Sequence, residues 1–512
     1  MSYQSTDIFI IGAGPTGLML ASQLSLHANV SFHIVDKNAR AANQSRALVV
    51  HARSLELFAQ LNLVDKALAR GRYAKSMNLF FNGQLSLKLD LSKIQHDNTV
   101  ASSYSYVLFL EQPVTEDLLE TYLNEHGFQV ERNVEVQRME ENDDGRIRVT
   151  LSNGNVVVTK YVCACDGAHS FVRQQLKVPF SGRTYSSSLF LADCQVNNCP
   201  LNTDEAGVFY SSSGMVGLFP LSKTRMRIVG TIEDHPDRKS ISIEEVGEFA
   251  RQRTFTSMTV EDCRWSAIYR SHHRHVDQFR VNQHYFFLGD AAHIHSPVGG
   301  QGMNTGLQDA HNLAWKLAFR LNCNGTEALL DTYHDERHQV AEMLVSSTDR
   351  IFSWISSQNF WVRLFLNQFV SRILRWFIQP WYNRSAKLRR NFFNRISQLT
   401  IFYSSVNTSP SSDGYFPANI PKPGERFPYA WFDARFYHFI SFENKDNKKI
   451  EDFLQAAKQK YPALILVDYA RDRMLPMFYP GVFLVRPDGF IAYRTTRYNF
   501  EHFTTYFSKF FA

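Results

Sequence analysis

Residues 7–37, DIFIIGAGPTGLMLASQLSLHANVSFHIVDK, constrain the fold of this chain more than any other stretch. An apolar run ends in a glycine turn, a helical pattern follows, and a second apolar run closes on Asp36 and Lys37. Gly12, Gly14 and Gly17 fit G-x-G-x-x-G, with Pro15 and Thr16 in the first turn of the helix. The first glycine makes the tight turn, the second lets a pyrophosphate approach the backbone, and the third lets helix pack on strand. A carboxylate ending the second strand, here Asp36, is placed to hydrogen-bond a ribose hydroxyl. Such a unit belongs to a parallel sheet and implies an adenine dinucleotide. Whether that is NAD or FAD stays open from this stretch alone.

Two further stretches repeat the strand–turn–helix theme. YVCACDGAHSFVRQQL at 161–176 reads as a buried strand delivering Asp166-Gly167 to a helix. FFLGDAAHIHSPVGGQGMNTGLQDAHNLAWKLA at 286–318 reads as a strand ending at Gly289-Asp290, then a loop with Pro297, Gly299, Gly300 and Gly302. From Met303 and Asn304 it takes on helical periodicity, with Leu307, Ala310, His311, Ala314 and Leu317 on one face. A glycine-rich loop opening a helix is an anion-binding device, because unpaired N–H groups and the helix dipole converge there.

The remainder of the 512 residues asks for more than one domain. Hydrophobic residues at 44% and charged residues at 20% fit an ordinary globular protein, and the net charge of +6 is too small and too local for a nucleic-acid binder. Cysteines at 163, 165, 194, 199, 263 and 323 show no metal-ligand spacing. They suggest a reducing compartment and argue against a disulfide framework. No signal peptide or run of ~18 apolar residues is seen, so a cytoplasmic location is expected. Residues 76–92 read as a hairpin turning at Asn82-Gly83, and 185–232 as an antiparallel sheet; a helix at 243–252 is capped by Ser242. SHHRH at 271–275 shares its spacing with no carboxylate or cysteine and is read as surface histidines, with no metal site assigned.

Residues 350–400 change character, carrying eight Arg, one Lys and no Asp or Glu among a dozen aromatics. Arg363, Asn367, Ser371, Arg375 and Gln379 form a narrow polar stripe on an otherwise apolar helix. Packing against protein, its own or a dimer partner's, is the preferred reading of that apolar surface, with an anionic membrane as the alternative. The final segment from 401 alternates strands and helices, with a hairpin at Pro487-Asp488-Gly489, and resembles a thioredoxin-like fold; it has no cysteine, so dithiol chemistry is excluded and its role is structural.

GAGPTG at 12–17, CDGAHSFVR at 165–173 and GDAAHIHSPVGGQGMN at 289–304 stand in order on one chain. This set resembles the class A flavoprotein monooxygenases, the para-hydroxybenzoate hydroxylase and phenol hydroxylase group. The cysteine-free tail is similar to that of phenol 2-monooxygenase and the aromatic polyketide hydroxylases. The resemblance implies an α/β, multidomain chain. A discontinuous Rossmann-like FAD-binding domain would occupy 1–75, 103–180 and 280–345. An antiparallel substrate-binding sheet would take 76–102 and 181–279, a basic aromatic helical segment 346–400, and a thioredoxin-like domain 401–512. It implies FAD held by Gly12, Gly14, Pro15, Thr16, Gly17, Asp36, Lys37, Arg46, Gln112, Asp166, Gly289, Asp290, Pro297, Gly300, Gly302, Met303 and Asn304. Electrons would come from transiently bound NADPH or NADH, and oxygen from O₂ through a flavin C4a-hydroperoxide, to hydroxylate a phenolic or polycyclic aromatic substrate. Candidate substrate-wall residues are Tyr210, Met215, Phe219 and Pro220; no catalytic base is assigned. Ala164 stands where many members have glycine, a small change. Alternatives are an antibiotic-inactivating flavin monooxygenase and a non-catalytic, membrane-associated flavin binder. The assembly is read as monomer or homodimer.

Overall fold

The structure is a computed structural model of the full chain and describes all residues except 1–2, 42–46, 95–99, 101, 234–239, 296–298, 356–358, 407–410, 418–419, 428–432, 442–446, 470–480 and 512. Two large sheets share the first 300 residues by exchanging strands. β1 (Tyr3–Ile11) and β2 (Phe32–Asp36) flank α1 (Pro15–Leu24) and pair in parallel, as the glycine turn requires. The chain then leaves for the second sheet with the hairpin β3 (Ser76–Phe81) and β4 (Gln84–Asp90), where Asn82 and Gly83 both take positive φ. It returns with β5 (Val156–Ala164), which lies parallel to β1. Next come β6 (Phe180–Asn197), β7 (Glu205–Ser211), β8 (Gly214–Pro220), β9 (Arg225–Glu233) and β10 (Thr259–Val276) in the second sheet. Last, β11 (Tyr285–Phe287) comes back to lie parallel to β5.

The second sheet departs from the antiparallel expectation at one seam. Strand β3 pairs with β7 in parallel, because β3 arrives from a separate excursion rather than through a hairpin. Strand β10 extends through the histidines at 271–275. Cross-strand register sorts the second sheet into two faces. Phe190, Val216, Leu218, Met226 and Ile228 pack under the helix Ile243–Thr254, whose start is closed by the expected Ser242 cap in a reciprocal capping box with Glu245. Leu189, Met215 and Phe219 fall on the opposite face.

The expectation about cysteines is corrected here. Cys194 on β6 and Cys263 on β10 are register partners and form a disulfide, while 163, 165, 199 and 323 are free thiols. Strand pairing over 69 residues of sequence brings them together, which no local spacing reveals.

The helix expected from Met303 is α2 (Gly302–Asn322), and it is buried on every side from Asn304 to Phe319. It packs on α1 and on α3 (Glu327–Ile355). Beyond α3 the basic segment is helical from Phe360 to Arg384, with two π-turns at Leu366–Val370 and Leu374–Ile378, followed by a helix Ala386–Ile396. The final segment builds a third sheet from Tyr437–Ser441, Ile465–Tyr469, Val482–Val485 and Ile491–Thr495, backed by helices Lys448–Lys460 and Phe500–Phe507.

Candidate functional site

In the first sheet β11, β5, β1 and β2 are adjacent. The three glycine motifs therefore emerge side by side at the C-terminal ends of β1, β5 and β11, where open α/β sheets bind ligands. Backbone bonds lock them together: Cys165 N–H donates to the Ile11 carbonyl at 2.8 Å and Leu288 N–H to the Ala164 carbonyl at 3.0 Å. Arg173 ties the second motif to the third, donating to the carbonyls of Ala168 at 2.6 Å and Ala291 at 3.0 Å.

The glycines divide their work as the motif predicts. A Cβ on Gly12 would strike the Cys165 carbonyl, and one on Gly17 the Gly12 carbonyl. A Cβ on Gly14 meets no atom within 4 Å, so this glycine faces the open space above the turn. Asp36 is held in place by Ala13 N–H at 2.7 Å and Asn38 N–H at 2.8 Å, one to each carboxylate oxygen. Lys37, next to it, is exposed. Pro15 opens α1, where its missing N–H is harmless. Thr16 is wedged between α1 and α2, and its Oγ1 fills the space that Cβ atoms on Gly289 and Gly306 would need. Its place is the helix crossing, which assigns it packing in addition to the ligand role expected.

The third motif separates its residues. Gly289 takes positive φ and donates its N–H to Asp309 at 3.0 Å, leaving Asp290 exposed at the turn. Gly300 also takes positive φ, and a Cβ there would press on Val49. Gly302 begins α2, and its N-cap residue Gln301 provides no side-chain bond to the first turn. The first-turn N–H groups of α2 therefore have no side-chain cap, as a helix start suited to an anion would. Met303 packs against the core of the first sheet.

Asn304 has a structural task besides the one expected of it. It is fully buried; its oxygen accepts from His51 N–H at 2.9 Å and Ser54 Oγ at 2.7 Å, and its nitrogen donates to the carbonyls of Val49 and Gly300, both at 2.8 Å. With both side-chain donors used and both lone pairs occupied, its side chain holds the loop, while its backbone N–H belongs to the first turn of α2. His51 reaches the same loop through Nε2 to the Gly299 carbonyl at 3.0 Å, and burial pulls its imidazole down to about 4. Arg46 and Pro297 lie outside the described residues. Gln112 opens the helix Gln112–Glu125, and its N–H donates to Ala47, beside the expected position of Arg46.

Asp166 caps a short helix, accepting from Phe171 N–H at 2.7 Å, while its Oδ1 is buried without a hydrogen-bond partner. Burial raises its carboxyl above the usual range. An orphaned buried oxygen beside an open glycine turn and an uncapped helix start fits an extended ligand with hydroxyl and anionic groups.

Of the wall candidates, Tyr210, Met215 and Phe219 share the sheet face that looks away from the 243–254 helix, and Phe219 packs with Phe109 and Val49. Pro220 is paired with Met226 and takes the opposite face from the other three. The register reveals a pair that sequence reading missed. Arg227 and Asp193, both buried on the Phe219 face, form a bidentate bridge with both bonds at 2.8 Å, and Arg227 also donates to the Ala47 carbonyl at 3.3 Å. Asp309 was missed likewise. It accepts from Gly289 N–H, His293 Nε2 at 2.7 Å and Arg337 Nε at 2.7 Å; burial works against its charge, but Arg337 and His293 outweigh that and hold the carboxyl low. No motif marked either, since strand register and helix packing, rather than a spacing rule, bring their partners to them.

A glycine turn opening on free space, a fixed acid at the end of β2 and an uncapped helix start beyond the third strand fit the class of dinucleotide-binding α/β proteins. Comparison with known proteins narrows the class. The family described as FAD binding domain matches residues 5–348. A rifampicin monooxygenase of Streptomyces venezuelae is 33% identical over 345 residues, 67% of this chain and 70% of that protein. The pentachlorophenol 4-monooxygenase of Sphingobium chlorophenolicum is 30% identical over 356 residues, 67% of this chain and 64% of that one. The solved anhydrotetracycline hydroxylase OxyS of Streptomyces rimosus shares the fold over 99% of both chains with a TM-score of 0.77 at 24% identity. The chain belongs to the FAD-dependent aromatic monooxygenases.

Proposed function

We propose that the chain hydroxylates a phenolic or polycyclic aromatic compound, using NADPH as reductant and O₂ as oxygen source. The observation that carries this reading is the convergence of the three motifs on adjacent strands, with Gly14 facing open space. Bound there, FAD supplies the activation of O₂ and the transfer of one oxygen atom. The residues of the chain have the remaining tasks. Gly12, Gly14 and the start of α1 receive the pyrophosphate; Asp36 retains acceptor capacity for ribose hydroxyls; Asp290 and Asp166 serve the chain linking ribose to ring. The N-terminus of α2 places positive potential where the ring gains electrons. Met215 and Phe219, with Tyr210 further along the same face, line the aromatic side. The Arg227–Asp193 bridge fixes the sheet to the loop at Ala47 without exposing a free charge to an apolar ring.

The relatives and the solved neighbour are named for rifampicin, pentachlorophenol and anhydrotetracycline, which supports an aromatic substrate. The domain division proposed is 1–75, 103–180 and 280–345 for the cofactor and 76–102 and 181–279 for substrate, and the assignment of strands to two sheets supports it. In the last segment parallel pairing of its first two strands is followed by an antiparallel hairpin and a helix, which supports the thioredoxin-like reading. A cytoplasmic location fits a reductant drawn from the NADPH pool.

The test is FAD retention and coupled turnover. The purified protein should be yellow, and a panel of phenols and fused-ring aromatics should contain one that accelerates NADPH oxidation, consumes O₂ and gains one oxygen by mass. Gly14→Val should abolish FAD retention with an unchanged circular dichroism spectrum, since its side chain would fill the pyrophosphate's place. A wild-type protein that takes up no FAD would overturn the reading.

A further inference from the structure

The helical segment after α3 is built the reverse of a surface helix. Its polar stripe faces the protein. Gln379 accepts from Lys88 N–H at 2.5 Å and donates to the Lys88 carbonyl at 3.2 Å, while Arg375 donates to the Leu85 carbonyl and to Gln84 Oε1, both at 3.1 Å. Arg363 reaches the Ser212 carbonyl. These bonds fasten the segment to β4, the edge strand of the second sheet, and to the β7–β8 turn. Leu374, Ile378 and Tyr382 pack beside them on Leu87 and Leu89. The other side is apolar and exposed: Phe369 at 59%, Ile373 at 48%, Trp376 and Phe377 at 71% and Trp381 at 58%, in line with Trp361 and Phe365.

Sequence explains why this row is straight. Trp361, Phe365, Phe369, Ile373, Phe377 and Trp381 recur every four residues, as do Arg363, Asn367, Ser371, Arg375 and Gln379. In a pure α-helix such rows would drift around the axis. The two π-turns widen the winding, so the average comes to about four residues per turn and each row keeps one side. The product is an apolar strip roughly 30 Å long, by helical rise.

We propose that this strip lies on an anionic lipid surface and makes the enzyme a peripheral membrane protein. The charge around it selects that occupant. Residues 350–400 hold eight Arg and one Lys with no acid, and Arg372, Arg384, Lys387 and Arg395 are exposed beside the strip. Aromatic rings with flanking cations match the boundary between acyl chains and anionic headgroups. A symmetric pairing with a second copy would instead bring two cationic segments together. The strip is also the outside of a cylinder, without a pocket for a partner's anchor side chain. No helix among the described residues is long and apolar enough to cross a membrane, and this one is pinned along its inner side, so it rests on the surface. The arrangement presses the β3–β4 edge of the substrate sheet toward the lipid.

The experiment is co-sedimentation of the full-length, FAD-loaded protein with phosphatidylcholine vesicles and with vesicles of phosphatidylcholine and phosphatidylglycerol. Binding to the anionic vesicles should be stronger by about tenfold or more and should weaken at high salt. The variant Trp376→Ser/Phe377→Ser/Trp381→Ser should lose most binding at either salt, and Arg372→Glu/Arg384→Glu/Lys387→Glu should lose the salt-sensitive part, both with unchanged FAD content. Equal binding to the two vesicles, or full binding by the aromatic variant, would overturn the proposal. So would a wild-type dimer in sedimentation analysis that the aromatic variant converts to monomer, with no vesicle binding in either. FAD content is read in the same samples, so failure here is separate from failure of the monooxygenase reading.

Discussion

Two regions of this protein place charge and apolar surface in opposite ways. In the helical segment 361–381, polar side chains are spent on strand edges and large rings face outward. Between α2, α3 and the Pro487–Gly489 hairpin, charges are buried and the rings surround them. Glu336 accepts from Lys316 at 2.9 Å and from both terminal nitrogens of Arg486 at 2.5 and 2.8 Å. Asp488 binds Arg486, and Asn312 donates to both carboxylates. Trp315 and Tyr403 lie within cation–π range of Arg486. The difference teaches that exposure here follows hydrogen-bond accounting rather than residue type. A buried charge persists because every partner is present, and an exposed ring persists because its helix is held from the other side.

The comparison is most severely tested at Glu336. Glu336→Gln leaves Lys316 and Arg486 without their shared anion and should cost about 3–5 kcal/mol in urea unfolding; a loss under about 1 kcal/mol would mean the cluster is solvated. His311 sharpens the same contrast through pH. Burial, then Arg53, pulls its imidazole from 6.5 to about 3. The folded state refuses a proton that the unfolded chain accepts below pH 6.5, so this contribution is complete above 6.5 and is lost progressively as pH falls toward 3. His311→Asn should therefore flatten the pH dependence of stability by about 1 kcal/mol between pH 6 and 5, and an unchanged slope would place His311 in water. Gln379→Ala should cost about 1 kcal/mol for its bonds to Lys88. Phe377→Ser should change stability by less than about 0.5 kcal/mol; a larger loss would show the outward ring to be buried by the protein itself.

Much of the local geometry of the proposed cofactor site was readable because its signals are local. Gly12, Gly14, Gly17 and Asp36 sit within one βαβ unit, and each role follows from the absence of a Cβ or from the position at a strand end. The capping box at Ser242 and the turn at Asn82-Gly83 were readable for the same reason. Asp309 and Arg227 were missed because helix packing and strand register, rather than any motif spacing, bring Arg337 and Asp193 to them. The side-chain bonds of Asn304 to His51 and Ser54 span some 250 residues and were illegible for that reason. That Pro220 faces away from Tyr210, Met215 and Phe219 was not readable, because only β8–β9 register tells which sheet face a residue takes.

The amino-acid sequence by itself determined the dinucleotide turns, the order of the strands that carry them and the family, since each depends on spacing within a few dozen residues. Tertiary structure alone decided which side of the 361–381 helix meets solvent. The stripe read from sequence was correct, but a periodic pattern names two faces without saying which is inside. The free backbone groups of β4 settled that, by offering Arg375 and Gln379 partners that water would otherwise supply.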